Sequence, residues 1–170
     1  MIKIDISGMT DGEYEIDLNV PISQTECAFE EFFGDVVLNV RVVKLGHRYN
    51  LKCHAECFAK MICDRSLKDF EEKTVSNFDL AFIADTKLFL ESGKNNEDDN
   101  EIIIKEDYKY INIADEVVEN LALQLPMKRV APEYRDKDIS EIFPELSSEN
   151  IMKENAADER WSKLKNFKIN

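Results

Sequence analysis

The feature that most constrains the fold is a pair of alternating runs that begins at Asp35. Val36, Leu38, Val40 and Val42 alternate with Val37, Asn39, Arg41 and Val43. After Lys44-Leu45-Gly46-His47, Tyr49, Leu51, Cys53, Ala55 and Cys57 alternate with Arg48, Asn50, Lys52, His54 and Glu56. Successive side chains of a strand point to opposite faces, so this period of two sends one face into a core and leaves the other, polar and partly basic, in water. With turn chemistry between the runs, the pattern is a β-hairpin. The alternation blurs at Phe58-Ala59-Lys60-Met61-Ile62, where a β-bulge or a change of partner sheet would let both faces be buried.

Further elements follow from the same reasoning. Residues 2–6 and 13–20 read as short strands around the turn Gly8-Met9-Thr10-Asp11-Gly12, paired as a small hairpin that ends at Pro21. Residues 24–34 read as a short helix stopped by Gly34 or as an irregular connection. After Cys63-Asp64-Arg65-Ser66-Leu67 a third long strand runs to about Ala84, with Phe70, Thr74, Phe78, Leu80 and Phe82 on one parity. Strands this long coil or bend. Residues 91–101 hold no aliphatic or aromatic anchor and read as an acidic surface loop. Ile102-Ile103-Ile104 is a short strand, and Asn112 is placed to cap a helix whose Ile113, Val117, Leu121 and Leu125 recur every four residues until Pro126.

The expected fold is therefore α+β: a highly curved, mostly antiparallel sheet, partly open and barrel-like, with one main packed helix and a weakly helical C-terminal tail. One domain is expected over residues 1–146, followed by an extension over 147–170 in which Asp158 caps a helix carrying Trp161, Leu164 and Phe167. No internal repeat at solenoid or propeller periods is present.

Composition narrows the function classes. At 170 residues with 44% apolar content the chain is the size of one domain and can bury a sizeable core unaided. Met1 leads into an alternating segment with neither a basic start nor a long apolar block, so a cytoplasmic protein is expected. Four cysteines, Cys27, Cys53, Cys57 and Cys63, then read as reduced thiols. The formal charge of −13 opposes bulk binding to phosphate backbones. Its distribution is uneven: one cation faces eight anions in residues 1–34, nine face eight in 35–90, three face ten in 91–120, and nine face nine in 121–170. Two acidic stretches could hold a basic protein, while RNA could approach the nearly neutral remainder.

Little points to catalysis. Cys53, His54, Cys57 and Cys63 lie close in sequence, but neighbours on a strand face apart and paired knuckles are missing, so no metal is expected. His47 and His54 sit in or beside hairpin strands without a catalytic motif, and no glycine-rich phosphate loop exists. The chain is read as a non-enzyme that needs no cofactor and takes no small-molecule substrate. What remains is surface chemistry: Arg41, Arg48 and Lys52 emerge from one outer face of the hairpin as a basic stripe, and the Trp161 helix is either a clasp on its own core or a docking motif.

Three segments, in order, resemble the YceD-like large ribosomal RNA subunit accumulation proteins of bacteria and plastids over roughly residues 35–167. Cys63-Asp64-Arg65-Ser66-Leu67 is similar to that family's Cys-x-Arg-Cys-Leu signature, Ile113 to Leu125-Pro126 resembles its late helix, and Asp158-Glu159-Arg160-Trp161-Ser162-Lys163-Leu164 is similar to its Asp-Pro-Arg-Trp-x-x-Leu motif. Ser66 stands where the signature has its second cysteine, Glu159 stands in the place of proline, and the cysteine that many relatives carry after the Leu-Pro step is missing from Met127 to Pro132. The resemblance implies a non-catalytic role in accumulation or processing of large-subunit ribosomal RNA and no mechanism; the charge distribution adds that contacts with precursor RNA should be local, or go through a basic ribosomal protein held by residues 1–34 and 91–120. Arg65, Arg160, Trp161 and Leu164 thereby join Arg41, Arg48 and Lys52 as candidate partner-binding residues. The alternative is a protein-interaction module unrelated to ribosomes that docks through Trp161.

Overall fold

The computed structural model describes residues 1–25, 29–92, 95–96 and 101–144. The chain falls into two compact units, Met1–Met61 with Asp69–Met127, and Ile62–Lys68 with Lys128–Asn170. The expected boundary after residue 146 lies outside the described residues, as do Cys27, Arg160, Trp161, Leu164 and the expected terminal helix.

In the first unit the alternating hairpin forms as β3 (Phe32–Leu45) and β4 (Arg48–Ile62, whose last residue belongs to the second unit). The strands are antiparallel, with Val40 opposite Cys53 and Arg41 opposite Lys52. Every inward residue from Val36 to Val42 and from Tyr49 to Ala59 is buried. The bulge sits on β3 and not at 58–62 on β4. Phe33 faces Phe58 and Val37 faces Glu56, so Gly34, Asp35 and Val36 stand against Cys57 alone. Gly34 makes this possible, because its φ of 76° is a conformation that a residue without Cβ adopts at little cost. Asp35 and Val36 meanwhile keep their partners Pro21 and Val20 on β2 (Gly12–Pro21). The helix reading of residues 24–34 is corrected where the structure describes them: Phe32–Gly34 belong to β3 and Ile22–Gln24 make a 3-10 turn, while positions 26–28 lie outside the described residues.

The expected pairing of the two N-terminal strands is also corrected. β1 (Lys3–Asp5) pairs antiparallel with β8 (Tyr110–Asn112) in a separate two-stranded sheet, while β2 pairs with β3 over ten residues, Gly12 opposite Lys44 through Pro21 opposite Asp35. A ladder of that length gives β2 far more cross-strand contact than three residues of β1 could supply. Asn112 is thus the end of β8, and α2 (Ala114–Leu123) begins behind Ile113 with no side-chain cap.

The main sheet has the order β2-β3-β4-β5-β7-β6, where β5 is Asp69–Ala84, β6 Asn95–Asn96 and β7 Glu101–Ile104. Its β2-β3, β3-β4 and β6-β7 pairs are antiparallel, as expected for most of the sheet, but the sheet is mixed and is not a closed barrel, which corrects the barrel-like part of the expectation. β5 and β7 run parallel, Phe82 beside Ile102, and a parallel pair requires a crossover. That crossover contains α1 (Thr86–Ser92), and the expected acidic loop contributes Asn95 and Asn96 to a pairing with β7. Asp85 nucleates α1: its carboxylate accepts from the N–H groups of Lys87 and Leu88, each at 2.9 Å.

α2 packs against β5, burying Ala114, Val117, Val118 and Leu121, while Asp115 and Glu116 lie in its first turn where the helix dipole favours negative charge. Together with Ile2, Ile4 and Ile6, Phe82, Ile104, Ile111 and Ile113, this face completes one continuous core. Among the described residues no helix is long and apolar enough to cross a membrane.

Replacing Leu121, fully buried, by Ala should lower the unfolding free energy by about 2–5 kcal/mol, whereas Glu119→Ala on the exposed side of α2 should stay within about 0.5 kcal/mol; urea melts of both variants check this. Ser76 is 1% exposed and its hydroxyl has no hydrogen-bond partner among the described residues. Removing that hydroxyl in Ser76→Ala should leave stability unchanged or raise it by up to about 1 kcal/mol in the same melts.

Candidate functional site

The outer face of the main sheet carries the three hairpin cations. Arg41 and Lys52 are direct cross-strand neighbours, and Arg48 lies on β4 at the same parity as Lys52. Their surroundings are acidic. Arg41 Nη2 is 2.5 Å from Glu13, Arg48 Nη2 is 2.8 Å from Glu101, and the nearby Lys60 and Lys73 lie 2.9 Å from Asp69 and 2.7 Å from Glu56. The Lys73 ammonium is the main reason that the Glu56 carboxyl is held below its ordinary range. Lys52 is exposed and forms no ion pair or hydrogen bond with the described residues. Arg41 and Lys52 are therefore brought together, Arg48 stands four residues further along the same face, and Arg41 and Arg48 are already neutralised.

Beside them an open hollow of about 510 Å³ is lined by Asn39, Arg41, Lys52, His54, Asn77 and Asp79. His54 Nδ1 lies 2.6 Å from Asn77 Oδ1 and its Nε2 3.4 Å from Glu56, so the imidazole braces β4 on β5. At one end of the same face Phe33 and Phe58 form an exposed cross-strand pair with ring centroids 6.1 Å apart, beside Val37. A smaller, mainly apolar hollow of about 180 Å³ lies between Phe82, Phe89, Ile103, Tyr108 and Ile111, with Lys105 over the Phe89 ring. Among the described residues no group of three His, Cys, Asp or Glu side chains is arranged to hold a metal ion.

The second unit is built around the turn Cys63-Asp64-Arg65-Ser66-Leu67. The Cys63 N–H donates to Lys68 O at 2.9 Å and the Leu67 N–H to Cys63 O at 2.8 Å, which forces Leu67 to a φ of 58°. A leucine in that left-handed region is strained, and the closed turn holds it there. Asp64 and Arg129 bond reciprocally: the Asp64 N–H donates to Arg129 O at 2.7 Å and the Arg129 N–H to the Asp64 carboxylate at 2.8 Å. Arg65 sends its Nη1 to the carbonyls of Tyr134, at 2.6 Å, and Lys137. Its guanidinium is thus engaged inside the unit as a strut.

Cys63 is fully buried at the centre of this clamp. Burial pushes its thiol up, but hydrogen bonding outweighs it, led by the Ala131 N–H at 3.4 Å from the sulfur with Ser66 and Arg65 contributing, and brings the pKa from the ordinary 9.0 down to about 7. Cys53 and Cys57, on the inner face of β4, are shifted the other way by desolvation, Cys53 to about 12. The sequence pattern marked Cys63 and Arg65 but gave no sign of Asp64, Arg129 or Ala131, because their bonds span about 65 positions and use backbone groups.

A thiol whose folded-state pKa is depressed adds stability that appears as pH rises from about 7 towards 9 and is lost as pH falls through about 7. The urea midpoint of the parent minus that of Cys63→Ser should therefore rise across this window and be flat below about pH 6. The difference in ultraviolet thiolate absorbance between the two proteins should titrate near 7. A separate check on the clamp is Arg65→Met, which removes a charged donor from two carbonyls and should cost about 1.5–3 kcal/mol of local stability, read as faster amide exchange over residues 129–137.

The turn, the α2 segment and the stretch carrying Arg129 to Lys137 all lie within residues 51–168, which match the family model of the large ribosomal RNA subunit accumulation protein YceD. Neither a curated protein nor a solved structure matches the chain. Since the matched region takes in more than half of the chain, from the return strand of the hairpin through the Cys63 clamp, this protein belongs to the YceD family of large ribosomal RNA subunit accumulation proteins.

Proposed function

We propose that this protein is a cytoplasmic, non-catalytic factor that supports accumulation or processing of large-subunit ribosomal RNA by docking a component of the assembling subunit. The observation that carries the reading is membership of the YceD family over residues 51–168. Support for docking in place of chemistry comes from the two units themselves. Cys63 is fully buried with its sulfur accepting from the Ala131 N–H, and His54 is braced between Asn77 and Glu56.

Of the two partners considered from sequence, a basic ribosomal protein fits the surface better than bare precursor RNA. Affinity for RNA backbones comes from clustered unpaired cations releasing counterions. Here Arg41, Arg48, Lys60 and Lys73 each lie within 3 Å of a carboxylate, and the chain carries −13 overall. A cationic protein meets the opposite situation, because the acidic stretches 1–34 and 91–120 attract it.

Deletion of the gene should lower large-subunit ribosomal RNA relative to small-subunit RNA, and affinity capture of the tagged full chain should enrich large-subunit proteins even after ribonuclease treatment. Unchanged RNA levels together with no enrichment of large-subunit components would remove the reading. Retention of a single non-ribosomal partner that is lost on Trp161→Ala would favour the alternative module.

A further inference from the structure

The geometry points to the free edge of β2 as a strand-addition site for an extended, lysine- or arginine-rich segment of a partner protein. β2 is the outermost strand of the main sheet, hydrogen-bonded on one side to β3, and no described strand pairs with its other side. Ten residues long, it presents backbone N–H and C=O groups at every second residue along that side. Natural edges of this length are commonly blunted by inward charges, bulges or an internal proline. None of these is present here: Pro21 stands only at the end, and the inward residues Tyr14, Ile16, Leu18 and Val20 are all apolar and half-buried. An added strand would cover their exposed flanks.

The outward face of the same strand selects the occupant. Glu13, Glu15 and Asp17 alternate along it, all exposed. On the sheet's side Glu13 meets Arg41 and Asp17 accepts from Asn39 at 2.6 Å, whereas Glu15 forms no ion pair or hydrogen bond with the described residues. Opposite charges placed directly across a strand pair stabilise it and like charges destabilise it. Two copies of this chain meeting edge to edge would set these carboxylates against their own kind, so a second copy is disfavoured. A segment that alternates basic and apolar residues matches both faces at once, its cations over Glu13, Glu15 and Asp17 and its apolar side chains continuing the row of Ile16, Leu18 and Val20. Main-chain bonds then give affinity and alternate side chains give selectivity. RNA offers no ladder of amides and would leave the apolar row uncovered.

The inference builds on the docking role proposed above and names the surface and the chemistry of the partner. Its test uses the purified full chain and a fluorescent octapeptide of alternating lysine and valine, followed by anisotropy and by amide exchange. The expected results are saturable binding, new protection of β2 amides, no binding of the glutamate-valine counterpart, and at least tenfold weaker binding of the lysine-valine peptide N-methylated at every residue, which keeps the charge but lacks the donors. Glu15→Gln combined with Asp17→Asn, which removes both charges at exposed positions and leaves an amide oxygen to accept from Asn39, should keep the melting curve within the range of a surface change and weaken binding at least tenfold. Equal binding of the methylated peptide, protection arising away from β2, no binding of the parent peptide, or protection of β2 by a single-stranded RNA oligomer would each overturn the inference. Because ribosomal RNA levels are read in cells and this binding on the isolated chain, failure here with RNA loss on deletion leaves the functional reading standing on another surface.

Discussion

The ladder between β3 and β4 is the constraint from which the first unit follows. Its inward row, Val36, Leu38, Val40 and Val42 against Leu51, Cys53, Ala55 and Cys57, is buried throughout. A slip of one residue would send that row into water and bring Asn39, Arg41, Lys52 and His54 into the core, so the register is held by solvation on both faces. β2 and β5 add to its two sides with the same parity, and α2 contributes Val117, Val118 and Leu121 to the common core. The one irregularity, at Gly34 to Val36, keeps β2 in register while β4 shifts, and a positive φ at Gly34 is what permits it.

The second unit rests on a different kind of interaction. Its described part is short and holds few buried apolar side chains, and order comes from backbone groups and a sulfur: the reciprocal Asp64–Arg129 bonds, the Arg65 strut to Tyr134 and Lys137, and donors gathered on Cys63. The family's Cys-x-Arg signature is thus, in this member, a clamp that joins two stretches far apart in sequence. Ser66 stands in place of the usual second cysteine, and against burial, which pushes the Cys63 thiol up, hydrogen bonding led by the Ala131 N–H brings it down to about 7.

Of the three cations that look like a basic stripe in the sequence, Arg41 and Arg48 are paired with acids delivered from β2 and β7, namely Glu13 and Glu101, while Lys52 keeps its charge free among the described residues.

Local pattern alone determined the elements whose signal is periodic: the hairpin from its period of two, the long third strand from the parity of Phe70 to Phe82, and the buried face of α2 from its four-residue recurrence. Residue chemistry likewise singled out Cys63 and Arg65, and charge counting showed that the chain is acidic in patches. Pairing was not legible. β1 chose β8 over its neighbour β2, β7 joined β5 in parallel through a crossover, and the bulge fell on β3, because strand partners are decided by which apolar faces can be buried together and not by nearness along the chain. The fate of each charge was hidden for the same reason: whether Arg41, Arg48 or Arg65 is free depends on a carboxylate or carbonyl that folding brings from 28 to 72 positions away in the bonds to Glu13, Glu101 and Lys137. Only the tertiary structure left the second edge of β2 open among the described strands, since an edge is defined by the partner a strand lacks.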